Sequence, residues 1–141
     1  MIDERTAAAA ILGQLIPQLE YAAPVLLERL DRGQPLVEQK SPSDLGFDTG
    51  TIDAGTLELF RVLAPYVTAA LSSGLLVIMQ KKSLTESRAE LARLRIEHEE
   101  FRRILDSIQR ELTGRKRKTV TQAEVDQAMI AAIEQLSQYE R

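Results

Sequence analysis

The chain has 141 residues, of which 44% are hydrophobic and 28% charged, with a formal charge of -3. That length fits one domain able to bury a core, and the composition excludes a disordered tail. The absence of cysteine excludes disulfides, thiolate metal sites and a thiol nucleophile, and with three Phe, three Tyr and no Trp the packing falls to Leu, Ile, Val and Ala.

The opening residues, Met1-Ile2-Asp3-Glu4-Arg5, carry acidic groups where a secretory leader starts with Lys or Arg, so a cytoplasmic address is expected. Residues 3 to 31 have the apolar density of a helix. Pro17 and Pro24 each remove a backbone donor, which predicts a kinked helix or two short ones. From 32 to 55 the chain gathers Gly33, Pro35, Pro42, Gly46, Gly50 and Gly55, the composition of a loop longer than the usual connection. Within it, Phe47-Asp48-Thr49-Gly50-Thr51 contains the D-T-G triplet of aspartic proteases. That chemistry needs two carboxylates brought together by β-rich lobes, which a helical chain does not supply, so the triplet reads as a Gly-rich turn.

Asp53 or Thr56 is the expected cap of a helix over about 56–82. Its interior, "VLAPYVTAALSSGLLVIMQ" from Val62 to Gln80, carries no charge and is long enough, at ~19 residues, to cross a bilayer. Arg61, Pro65, Thr68, Ser72 and Gln80 recur at near-helical spacing and draw a weakly polar stripe along it, which favours a core helix of a soluble protein. The alternative is a membrane-anchored chain with its C-terminal part cytoplasmic, because residues 62–141 carry thirteen of the eighteen basic groups.

Ser83-Leu84-Thr85-Glu86 has the S-x-x-E form of a capping box and predicts a new helix. No Gly or Pro lies between Leu75 and Thr113, so one unbroken rod over 56–112 competes with a hairpin. Over residues 84–112, Leu84, Leu91, His98, Leu105 and Leu112 recur by sevens, and Ser87, Leu94, Phe101 and Ile108 fall three places later. Such a pattern, apolar at seven of nine positions over ~43 Å of helix, is the seam of a coiled coil. The flanking charges favour a parallel dimer, with Glu90 of one chain approaching Arg95 of the second and Glu97 approaching Arg102. Ile96 and Ile104 fall off the seam and require cover from another helix. His98, the only imidazole, reads either as a half-exposed residue hydrogen-bonded to a nearby Glu or as a marker of register within the seam. A lone His is a poor zinc site, and no metal or other cofactor is expected.

Thr113-Gly114 is the expected end of this helix. The basic loop Arg115-Lys116-Arg117-Lys118 that follows is a candidate anion contact. It has no interleaved aromatic residues to stack bases, so nucleic acid is not the expected partner. Thr121-Gln122-Ala123-Glu124 is a second capping box, opening a helix over about 122–139 with Val125, Met129, Ala132, Leu136 and Tyr139 on one face.

These readings give an all-α fold, a helical bundle with a long coiled-coil helix over about 84–112. Its regions are an apolar N-terminal part, 1–82, and a coiled-coil part, 83–141. No phosphate-cradling Gly loop, nucleophile elbow or metal-binding helix pair stands in the sequence. The expected function is therefore non-enzymatic: an oligomerisation or adaptor protein whose partners are a second copy of itself and another protein. The alternative is a small membrane-tethered protein with a transmembrane segment near 62–80.

Overall fold

The computed structural model describes residues 3–36, 54–80, 83–116 and 119–139, and among these the secondary structure is helical with no strand. Most of the 32–55 loop, with the Asp48 triplet and the proposed cap Asp53, lies outside the described residues. So do Lys81, Lys82, Arg117 and Lys118.

Helix α1, Glu4–Leu15, starts where Asp3 takes an extended conformation and its Oδ1 accepts from the Thr6 N–H at 2.7 Å. Its four consecutive alanines, Ala7 to Ala10, are buried, as are Ile11, Leu12 and Leu15. Small side chains let neighbours approach α1 from several sides, and α2, α3 and α7 all pack on it. The two prolines divide the N-terminal region as their chemistry requires: Pro17 opens a 3-10 turn, Pro17–Leu19, and Pro24 sits in the first turn of α2, Ala23–Asp31. α2 ends on Gly33, whose φ of 68° lets its N–H reach the Leu30 carbonyl and the Gln34 N–H reach that of Arg29.

The next helix begins at Ala54, two residues before the expected start, so Thr56 lies inside it and does not cap it. It runs as α3, Ala54–Ala70, then as a π-helical turn, Leu71–Leu75, and then as α4, Leu76–Met79. Arg61, Pro65, Thr68, Ser72 and Gln80 are all exposed, so the weakly polar stripe is its solvent face. Leu57, Phe60, Leu63, Val67, Leu71 and Leu75 are buried opposite. Ala54–Met79 is long and apolar enough to cross a membrane, although 44% of its most apolar stretch is buried inside the fold.

The chain then reverses. α5, Leu84–Glu97, lies beside α4, with the Ser87 hydroxyl donating to the Ile78 carbonyl at 3.3 Å, and Leu94 facing Gly74. The hairpin thus holds and the single rod does not. Ser83 caps α5 through its Oγ, which accepts from the Glu86 N–H, and Thr121 caps α7, Gln122–Tyr139, through the Glu124 N–H. α6, Glu99–Lys116, packs along α3 and against α7. α1, α3, α6 and α7 therefore close a four-helix ring within one chain, while α2 covers α1 and α5 lies across α4, α6 and α7.

Two expectations about α6 need correction. Gly114 does not stop the helix, which continues to Lys116, so Arg115 and Lys116 belong to its last turn and not to a loop. An exposed helical Gly costs only about 1 kcal/mol, and cations are favoured at a helix C-terminus. Thr113 instead anchors the returning chain, its hydroxyl accepting from the Val120 N–H at 3.1 Å. The second correction concerns the other end of α6, at His98.

Candidate interaction site at the His98 joint

Residues 84–112 do not form one helix. α5 ends at Glu97, α6 begins at Glu99, and His98 between them is extended, with φ -104° and ψ 101°. The His98 N–H still closes α5 on the Leu94 carbonyl, and the His98 carbonyl opens α6 by accepting from the Arg102 N–H. The imidazole Nδ1 accepts from the Phe101 N–H at 3.1 Å, the position an N-cap side chain serves. This needs a neutral ring with its lone pair on Nδ1. Arg102 reaches back to donate to the Ile96 carbonyl at 3.1 Å, which the break has deprived of a helical partner. His98 is thus the cap at a bend. The bend has a tertiary cause: it lets Leu91 stay buried, and Ser87 stay buried with its hydroxyl on the Ile78 carbonyl of α4, while Phe101, Leu105 and Ile108 stay in the ring.

The facing helix changes course at almost the same level. Gly74, in the π turn, has φ 129°, and a Cβ there would lie 3.3 Å from Leu94, one turn before His98.

The seam residues separate into two groups. Phe101, Leu105, Ile108 and Leu112, with Leu91 from α5, are buried within the single chain. Leu84, Leu94 and His98 are half-buried. The charged residues flanking the seam have partners inside the chain. Glu90 and Glu97 both approach Arg93, at 3.3 and 3.7 Å, and Arg102 holds the Ile96 carbonyl. Arg95 forms a 2.6 Å ion pair with Asp126 of α7. Burial pushes the Asp126 carboxyl above its ordinary range, the Arg95 guanidinium opposing that shift, and its Oδ1 is buried with no hydrogen-bond partner among the described residues. Of the basic segment, Arg115 lies 3.6 Å from Glu111, which ties it to its own helix.

Of the two off-seam isoleucines, Ile104 is covered and Ile96 is 72% exposed. Ala89 and Ala92 are exposed at helical spacing from Ile96, and beside them Arg88 makes no ion pair among the described residues. This outer face of α5 was only partly readable: the Ile96 position off the seam was the signal, and the alanines gave none. A second surface, missed from the sequence, is a groove of about 400 Å³ between α1, the start of α2 and α7, with Ala9, Ala10, Pro24 and Leu136 in its floor and Arg5, Glu20 and Gln135 at its rim. Among the described residues no group of three or more His, Asp or Glu side chains is arranged to hold a metal ion.

Compared with protein-family models, with curated proteins and with solved structures, the chain has no significant match.

Proposed function

We propose that this chain is a non-enzymatic helical oligomerisation or adaptor protein that acts through protein–protein contact. The observation that carries the reading is the outer face of α5, where Ala89, Ala92 and the 72% exposed Ile96 form an apolar strip on an otherwise charged helix. The partner surface is this strip and not the α6 half of the heptad seam, because Phe101, Leu105, Ile108 and Leu112 already have cover within the chain. Uncovering them to build a parallel coiled coil would give up about 1.5–3 kcal/mol per large side chain.

Sedimentation equilibrium at micromolar concentration tests this. The expected result is a reversible dimer that Ile96→Glu weakens at least tenfold with the helical content unchanged. A strictly monomeric natural chain that captures no second protein ends the proposal. The membrane-tethered alternative keeps one observation in support, the length and apolarity of Ala54–Met79. Recovery of the chain in the membrane pellet after a carbonate wash would favour it over the adaptor reading.

A further inference from the structure

We infer that the chain forms a domain-swapped dimer in which the His98 joint straightens and α6 and α7 of one copy pack on α1 to α4 of a second. The inference rests on the oligomerisation reading and specifies its partner, a second copy of this chain, and its geometry.

Four observations meet at the joint. The sequence from Leu75 to Thr113 contains no Gly or Pro, so nothing in its covalent chemistry opposes one helix through His98. The connection is a single residue, and a connection this short is the kind that exchange relieves. Side chains substitute there for helical bonds: His98 Nδ1 takes the Phe101 N–H and Arg102 takes the Ile96 carbonyl. In a continuous helix the Phe101 N–H would return to the Glu97 carbonyl and the Ile96 carbonyl to the Glu100 N–H. Finally, Ile96 stands 72% exposed two residues before the joint. The segment beside a hinge is where two exchanging chains meet, and a second Ile96 would cover it there.

Everything else is conserved in the exchange. The α3–α6 and α1–α7 interfaces are rebuilt between chains from the same residues, which is why swapping is a low-cost route to a dimer. The balance between closed monomer and exchanged dimer is then set at the joint and by concentration.

The chain has no cysteine, so single-cysteine variants report contacts cleanly. In the closed chain the Gln14 amide of α1 donates to the Gln135 side-chain oxygen of α7 at 3.2 Å, and in the swapped dimer that contact lies between copies. Gln14→Cys and Gln135→Cys chains, one carrying a mass tag, are refolded together at high concentration and treated with a short bis-maleimide. A cross-link joining residue 14 of one chain to residue 135 of the other is the expected result. A dimer without that cross-link overturns the swap and leaves the oligomerisation reading standing. Failure to dimerise at any concentration overturns the swap, and if no second protein is captured either, it ends the adaptor reading with it. In the otherwise natural chain, His98→Leu removes the cap from the closed form and favours a straight helix. It is expected to raise the dimer association constant about 25-fold, since each of the two chains loses a cap worth about fivefold in equilibrium. An unchanged constant in a folded variant overturns the role given to His98. The cross-link in His98-containing chains decides the question if that variant does not fold.

Discussion

α5 and α6 carry one heptad pattern between them, yet the fold uses its two halves differently. In α6 the residues Phe101, Ile104, Leu105, Ile108 and Leu112 are all buried, and they lock the helix into the four-helix ring. In α5 only Leu91 and Ser87 are buried, while Ala89, Ala92 and Ile96 face water. α6 is therefore a structural helix, and α5 is an arm held by a few contacts, with a face to spare. The comparison teaches that an apolar seam states how a helix wants to pack but not which surface fills it. Here the preceding helix of the same chain fills most of it.

The largest expected effect sharpens that contrast. Phe101→Ala should cost about 3–5 kcal/mol of unfolding free energy, read from urea titration, because it empties a fully buried aromatic site in the ring. Leu94→Ala, on the partly buried part of the arm, should cost about 1–2 kcal/mol, since part of that side chain is already in water. Equal losses would erase the distinction between arm and ring. Next is Gly74→Ala. With φ at 129° and Leu94 3.3 Å from the added Cβ, it should lose about 1–3 kcal/mol, chiefly by loosening the arm, so hydrogen exchange should rise first in α4 and α5. Uniform acceleration across α6 would contradict the arm's separate character.

The smallest effect is one of pH and sets the arm's anchor against the first helix cap. The Asp126 carboxyl is raised by burial, more than Arg95 lowers it, so the folded state holds its proton more firmly than the unfolded chain does. Its contribution is most favourable at low pH and is lost as pH rises through the folded-state pKa. Asp3 is lowered by its hydrogen bond with the Thr6 N–H, so its stabilisation is present above the ordinary Asp range and disappears as pH falls through the folded-state value. Urea titrations between pH 3 and 7 should then show opposite trends. Relative to the natural chain, Asp126→Asn gains stability as pH rises, whereas the deficit of Asp3→Ala shrinks as pH falls. Parallel trends would mean that the ion pair with Arg95 outweighs burial.

Much of the fold was legible because it depends on local chemistry. Ser83 and Thr121 cap the helices they were expected to cap, Pro17 and Pro24 divide the first helical region, and the stripe from Arg61 to Gln80 faces solvent. What was not legible depends on tertiary fit. A break at His98 carries no Gly or Pro to announce it, because a side-chain acceptor and a packing demand produce it jointly. Gly114 misled in the opposite direction, since nothing in the fold requires it to leave the helical conformation. The outer face of α5 was half visible through Ile96, an apolar residue that the heptad could not place.

The four consecutive alanines of α1 carry a consequence for how this chain can change over generations. At Ala7 and Ala8 a contact surface of alanine has no slack below it and nearly every substitution adds volume to a packed interface, whereas Ala9 and Ala10 border the open groove. Overpacking of that kind costs about 1–3 kcal/mol a site, against a total margin of about 5–15 kcal/mol. Ala7 and Ala8 should therefore drift more slowly than α5, whose open face leaves room for sequence to wander and for new partners to be tried.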